Sequence, residues 1–596
     1  MDETENHDAD MESMRSRESF IEELRSVKSM SGVSTEDLLT LGRLVSEDHN
    51  LIAPEAPPSG NKVAVLTKKF LHWWASWSIP GMGMFTEAYV LFAIGNIKPL
   101  LKIMYPNCWG SGEPADCSKG AQEEIETIEI AGIIVGMLVI GFFADWMGRK
   151  WGSRLCTSIM VVGAILLTAA SGSAQAYLIV LAIGLSVFGL GVGGEYPLAA
   201  SSAAERAEGN PELRSKRGQT IALTFTMQGW GNWSNTLVIL ILLACVGATG
   251  MDITPNQASI VIHVQFAVAL FLLLGLIVYR FTKLEESRVW QAERKGVDHE
   301  LEEEGEKEHQ SKLYTVILKR NWSRLIATCG CWILNDLAFY GNKLFQSTFI
   351  AALSGGKATE FKNIQWTLLN STISLCGYFT AAYMVDRKWY GRRIMQMVGF
   401  GMMAILFLFC GIFYDTLSTT QIQVFQFLYF FSSYWNQFGP NATTWLVAGE
   451  VFPTDVRAFF HGISAAFGKA GAIAASLIFS RISTQDTFYT SAGAGLAGVI
   501  LTWLFLPDTT GLDLGEIDRQ NRYLMAGKGA DYHGEAVNPR HLSTWERWMG
   551  WGKLYDPSRD ADQQVLQKMF SSGYSSHKFT DVEKQPDASK KTLHEE

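Results

Sequence analysis

The chain has 596 residues, 48% of them hydrophobic, and its 59 acidic against 50 basic residues leave a net charge of −9. That charge lies largely in polar stretches outside the apolar ones, so it identifies no partner, and no nucleic acid is expected. Apolar stretches of about 20 residues, the length that crosses a hydrocarbon core, recur along the chain and exclude a soluble globular protein.

Residues 1–60 begin with acids and have no apolar core behind basic residues, so no cleavable signal peptide is expected there. Phe20 to Leu44 forms either a short amphipathic helix or a disordered segment. Spans are expected near 70–95, 125–145, 154–173, 176–203, 218–247 and 259–281. A second series is expected near 322–352, 364–385, 393–413, 421–448, 457–480 and 488–506. The fold class is therefore an all-α membrane protein, with twelve transmembrane helices in two six-helix bundles. The bundles are placed at 70–282 and 321–507, between an N-terminal tail (1–69), a linker (283–320) and a C-terminal tail (508–596). The run from Leu301 through three glutamates marks the linker as solvated. Trp545, Trp548 and Trp551 in the last tail point either to the membrane surface or to a small packed cap.

Basic residues set the orientation. Arg149, Lys150 and Arg154 follow the second span and Arg387, Lys388, Arg392 and Arg393 the eighth, whereas the connections near 171–176 and 247–257 have no Lys or Arg. The positive-inside rule then puts both termini and the linker in the cytoplasm, with the plasma membrane as the expected location. Cys108 and Cys117 fall in the first external loop, where a disulfide is permitted but not required. The other six cysteines are expected as small core residues. The sequons at Asn232, Asn321, Asn370 and Asn441 fall within spans or at their cytoplasmic ends and are expected to be unused.

Span seven carries the strongest functional signal. Trp332, Asp336 and Tyr340 are four apart and Lys343 lies one turn on, so a helix sets them in one stripe. An ionisable residue inside a membrane costs at least ~2.5–3.5 kcal/mol on insertion scales, so it normally faces a partner or a water-filled cavity. The stripe is an ion or substrate path, or else a helix entering a polar vestibule near the surface.

A weak internal repeat joins the halves. Gly141-Phe-Phe-Ala-Asp145-Trp-Met-Gly148-Arg149-Lys150 matches Asp386-Arg387-Lys-Trp-Tyr-Gly391-Arg392-Arg393. Both resemble the loop motif of the major facilitator superfamily, which implies that Asp145, Arg149, Asp386, Arg387 and Arg393 hold a cytoplasmic gate. Trp146 stands where that motif usually has an arginine. Leu284-Glu-Glu-Ser-Arg288 and Pro507-Asp-Thr-Thr-Gly511 resemble two junction motifs of the sugar porters.

Span four ends in Gly189-Leu-Gly-Val-Gly-Gly194-Glu195-Tyr196-Pro197. A dinucleotide loop would need a strand before it and a helix after it; inside an apolar helix these glycines instead allow close helix approach. The segment resembles the signature of the phosphate:proton symporter branch, with glutamate for its usual aspartate. That resemblance, over roughly 70–520, implies a phosphate site formed by Tyr196, Gln228, Trp332, Asp336, Tyr340, Asn441 and Lys469. It also makes Asp336, Glu87 and Glu195 the candidate proton carriers. Glu87-Ala-Tyr-Val90 keeps one acid where phosphate porters usually have two, and Lys343 replaces their usual asparagine. With Glu195, Lys343 resembles fungal glycerophosphoinositol permeases and is a candidate contact for the alcohol arm, or a lysine reaching the headgroups.

The expected function is proton-coupled import of a small anionic phosphate-containing substrate. A glycerophosphodiester leads, and inorganic phosphate is the alternative. Lys469 supplies charge to the anion, and tyrosine, amide and indole groups supply donors. Burial favours the neutral form of a carboxylic acid, so a protonated Asp336 can coexist with substrate, while an Asp336–Lys469 ion pair fits the empty carrier. Protons and the lipid bilayer are the other expected partners; no cofactor or metal is expected, the proton gradient being the driving force. A nutrient sensor of carrier fold remains as a different class. No zinc, Walker or nucleophile-elbow motif suggests an enzyme.

Overall fold

The computed structural model describes residues 62–109, 121–208, 211–250, 252–291, 306–344, 359–561 and 564. The chain divides into two units, Met1–Trp73 and Trp74–Glu596. Of the first unit only 62–73 are described, as the opening turns of a helix, so the expectation for Phe20 to Leu44 lies outside the described residues.

The chain runs through helices α1 (Lys62–Ser78), α2 (Met82–Leu91), α3 (Ala93–Met104), α4 (Ala121–Met147), α5 (Arg149–Ala169), α6 (Ala174–Glu208), α7 (Arg217–Cys245) and α8 (Pro255–Thr282). It continues through α9 (Glu306–Leu344), α10 (Glu360–Met384), α11 (Gly391–Ile412), α12 (Ile422–Asn436), α13 (Ala442–Ala448), α14 (Arg457–Phe479) and α15 (Thr484–Phe505). Beyond the expected spans lie α16 (Leu514–Met525) and α17 (Thr544–Trp548). Seven helices among the described residues, α4, α5, α6, α8, α11, α14 and α15, are long and apolar enough to cross a membrane. The other expected spans fall on α1–α2, α7, α9, α10 and α12–α13, which carry polar or bent segments; the first continues past the expected 95 into α3.

Glycine decides the closest helix contact. A Cβ on Gly136 would stand 2.1 Å from the Leu190 carbonyl oxygen, and one on Gly193 2.1 Å from that of Ile133, so α4 and α6 pack backbone to backbone. One set of helices packs α6 against α4 and α5, α8 against α5, and α7 against α2. The other packs α9 against α14 and α15, α11 against α15, and α10 against α12. The two sets meet along α4–α14 and α7–α10. Between α12 and α13 the chain makes a wide turn, Gln437–Asn441, with Gly439 at φ −103°, ψ −105° followed by Pro440.

The structure bears on three expectations. The first turns of α9, from Glu306, lie within the expected linker 283–320. Much of the C-terminal tail packs as a cap: Glu546 of α17 pairs with Arg324 at 2.7 Å, and Trp545 lies 5.6 Å from Trp322 ring to ring. Cys245 and Cys376 are exposed on the helix surface, not core residues. Cys108 is disulfide-bonded, and Cys117 lies outside the described residues. The four sequon asparagines are buried.

Candidate functional site

The centre of the structure is a buried polar cluster contributed by helices of both sets. Lys469 of α14 donates to Tyr340 Oη at 2.6 Å, Asp336 Oδ2 at 3.3 Å and Tyr196 Oη at 3.5 Å. Its ammonium lies 4.4 Å from the Tyr340 ring centre and 5.0 Å from that of Tyr196, a cation–π cradle that keeps the charge compact. Tyr196 donates onward to Glu87 Oε1 at 2.7 Å, and Gln228 Nε2 donates to Tyr196 at 3.0 Å. Glu87 Oε2 is buried with no hydrogen-bond partner among the described residues. Asn441, set inward by the Gln437–Asn441 turn, donates to Gln228 Oε1 at 3.2 Å. Trp332 closes the floor, its ring 6.3 Å from Tyr196 and 5.4 Å from His461, and fits because residue 468 is glycine.

Lys469 is 2% exposed, Asp336 1% and Glu87 0%. With both acids ionised the cluster carries two negative charges against one positive. An anion entering such a low-dielectric pocket meets net repulsion unless an acid takes up a proton.

One sequence-predicted residue, Glu195, does not join the cluster. Glu195 precedes Tyr196 in the chain but turns away from it. It meets Arg280 in a two-point ion pair, one arm at 2.8 Å, and Arg280 is also held by Thr157 Oγ1 at 2.6 Å. Glu195 and Arg280 line a cavity of about 560 Å³ with Lys150, Glu205 and Lys283, beside the basic loops. Lys343 belongs to α9, but its side chain lies outside the described residues.

The repeat motifs form two matching latches on the basic-loop face. Asp145 accepts from the Ala458 and Phe459 amides at 3.2 and 2.8 Å, capping α14 of the opposite set. Asp386 accepts from the Gly218 and Gln219 amides at 3.2 and 2.7 Å, capping α7 in return. A carboxylate at a helix N-terminus satisfies free amides and meets the positive end of the dipole. Arg149 joins Asp145 at 2.9 Å to Glu205 at 2.7 Å, and Arg392 joins Asp386 at 2.8 Å to Glu450 at 3.0 Å. Each arginine follows a glycine with positive φ, Gly148 at 88° and Gly391 at 67°, which fixes the register of the two turns.

The counterpart of Arg149 is thus Arg392, and the expected gate residues Arg387 and Arg393 lie elsewhere. Arg387 stacks 4.5 Å over the Tyr383 ring, and Arg393 reaches Thr544 Oγ1 at 2.6 Å. Arg217 crosses from the first set to reach Glu450 at 2.8 Å. Burial alone would push the Glu450 carboxyl up, but the guanidinium groups of Arg392 and Arg217 hold it at about 2.

A family model for sugar (and other) transporters matches residues 78–520. The chain belongs to that family. A relative from Arabidopsis thaliana named "Probable inorganic phosphate transporter 1-6" is 31% identical over 483 residues, 74% of this chain and 92% of that protein. Low affinity inorganic phosphate transporter 3 of Petunia hybrida is 29% identical over 517 residues, 77% of this chain and 94% of that protein. The structure of the proton:xylose symporter XylE bound to 6-bromo-6-deoxy-D-glucose matches with a TM-score of 0.60 at 16% identity, over 75% of this chain and 99% of that one. The fold is accordingly the helical major facilitator fold of a multi-pass membrane transporter.

Within this transporter, sequence reasoning missed Tyr378 of α10. Its hydroxyl donates to Gln228 Oε1 at 2.7 Å and accepts from Asn441 Nδ2 at 3.0 Å, tying the two sets together across the site. The signal was present in Asn370, Ser374 and Tyr378, a polar row at four-residue spacing in an apolar span. Asn335 was missed as well; it donates to Asp336 Oδ1 at 3.0 Å and fixes that carboxylate from the side away from Lys469.

Proposed function

We propose that this chain is a proton-coupled carrier that imports a phosphate-bearing anion across the plasma membrane by alternating access, with both termini cytoplasmic and inorganic phosphate as the substrate. The observation that carries the reading is the Lys469 ammonium, held 3.3 Å from Asp336 and ringed by the hydroxyls of Tyr340 and Tyr196. Protonation of Asp336 dissolves the ion pair and leaves a compact cation among donors, a setting suited to a phosphate oxygen. Loss of that proton restores the pair and expels the anion. Glu87, linked through Tyr196, is the second acid of this cycle. The phosphate names of the curated relatives support the choice of substrate.

A second reading, uptake of a glycerophosphodiester such as glycerophosphoinositol, is favoured by one structural observation. Asn370, Asn436 and Gln437 line a small cavity of about 20 Å³, and neither amide atom of the buried Asn370 has a partner among the described residues. Such groups suit the alcohol hydroxyls of a polyol arm, which inorganic phosphate lacks. Uptake of labelled phosphate, glycerophosphoinositol and glycerophosphocholine by the same cells, with and without a proton gradient, tests both. Phosphate uptake that collapses with the gradient is expected. Saturable uptake of the diesters alone would transfer the assignment to them, and binding without flux of any of the three would make the protein a sensor.

A further inference from the structure

The register of the α11 turn leaves Arg393 outside the gate, and its neighbours give it a different task. Its Nη2 donates to Thr544 Oγ1 at 2.6 Å, and Arg547 Nη2 donates to the same hydroxyl at 3.4 Å. Arg393 Nη2 also donates to the Trp503 carbonyl oxygen, so the two guanidinium groups converge on neutral oxygens only. Arg393 Nε is buried and has no hydrogen-bond partner among the described residues. The acids whose fields reach Arg393 are engaged elsewhere. Asp508 accepts from the Thr510 amide at 3.0 Å, and Glu546 is held by Arg324 at 2.7 Å and by the Ser543 amide at 2.8 Å. Among the described residues neither acid makes an ion pair with Arg393 or Arg547, and the two like charges repel less with an anion seated between them.

The position of the pair says where that anion comes from. Leu496, Ile500 and Trp503 of α15 are all exposed, at spacings of four and three, and form an outward apolar row suited to acyl chains. Trp548, 64% exposed, extends the row beyond the helix end, its ring 6.0 Å from that of Trp503. Tryptophan at the end of an apolar face marks headgroup depth.

We propose that Arg393 and Arg547, framed by Trp503 and Trp548, bind the phosphate of an anionic phospholipid in the leaflet beside the basic loops. The planar guanidinium fork matches two phosphate oxygens, and Thr544 supplies a third polar contact. The indoles bracket the glycerol region, apolar on one side and wet on the other. The exposed apolar row beside the pair is suited to acyl chains, so the occupant is a lipid headgroup and not free phosphate.

The full chain, purified in detergent, is titrated with short-chain phosphatidylserine and phosphatidylcholine, and bound lipids are counted by native mass spectrometry. The wild type should hold one phosphatidylserine in preference to phosphatidylcholine. Arg393→Gln and Arg547→Gln should each weaken it roughly fivefold, the factor carried by one basic residue near an anionic surface. Together they should weaken it about 25-fold if the effects add. Trp548→Ala should weaken both lipids. Arg547 and Trp548 are exposed, so their variants carry the test alone if Arg393→Gln fails to fold. Equal retention of the two lipids by the wild type, or unchanged phosphatidylserine binding in the folded variants, overturns the proposal. So does release of phosphatidylserine by inorganic phosphate.

Discussion

Replacing Glu450 with glutamine probes the latch on the α11 side. The carboxylate is fully buried and shared by Arg217 at 2.8 Å and Arg392 at 3.0 Å, one from each set of helices. Its carboxyl is held at about 2 against an ordinary 4.5, a preference for the charged form of about 3 kcal/mol at about 1.36 kcal/mol per unit. For a depressed carboxyl this stabilisation is fully present above pH 4.5 and is lost as pH falls towards about 2. Glutamine imitates the protonated state at every pH. With two arginines sharing the charge, part of that loss, on the order of 1 kcal/mol, falls on the contact between the sets. That corresponds to a roughly fivefold shift of population towards the state open on the basic-loop face. Spin labels at the exposed Lys216 and Lys388, one on each set, would report it as a longer distance in the full chain in nanodiscs. The difference between Glu450→Gln and wild type should stay constant from about pH 5.5 to 8, because the group does not titrate there. An unchanged distance distribution, or a difference that vanishes within that range, would refute the assignment of Glu450 as a charged latch.

Four further outcomes are expected. Lys469→Ala should abolish saturable uptake while the protein still reaches the membrane, and Lys469→Arg should also be poor because a fork does not replace a compact ammonium; normal affinity in Lys469→Ala would remove the residue from the site. Asp336→Asn should keep substrate binding or exchange but lose proton-driven accumulation, and accumulation with unchanged pH dependence would pass the proton to Glu87. Tyr378→Phe removes the bond to Gln228 and should raise KM several-fold, on the order of 1 kcal/mol; an unaltered KM would make Tyr378 a spectator. Lys343→Asn should weaken glycerophosphoinositol uptake more than phosphate uptake if the diester reading holds, whereas equal effects would leave Lys343 to the headgroups.

Periodicity and motif spacing carried much of the fold, because apolar spans declare themselves by length. The spans they describe least well are those bent for function. Gly439 and Pro440 break the expected 421–448 span into α12 and α13, and no hydropathy window registers that turn. The central cluster was legible where a motif named the residue, as for Tyr196, Asp336 and Lys469. Tyr378 went unseen because a tyrosine in an apolar span reads equally well as packing. Arg393 was mistaken for Arg392 because adjacent arginines on a helix differ by about 100° in direction, and only the positive φ of Gly391 says which faces inward. The tryptophans of the C-terminal tail left a packed cap and the membrane surface equally open; the anchor of the cap is the long-range pair between Arg324 and Glu546, which no local pattern encodes.

The reciprocal capping by Asp145 and Asp386 has a mechanical consequence. Each acid is rooted in one half of the molecule while the amides it covers start a helix of the other. Sliding one half along the other therefore strains both contacts together, and neither can yield alone without tilting the pair about the one that remains. The arrangement behaves as two hooks facing opposite ways on a single seam. It resists shear in either direction but parts under a rotation that lifts both ends at once, which favours rocking over sliding as the way this carrier opens.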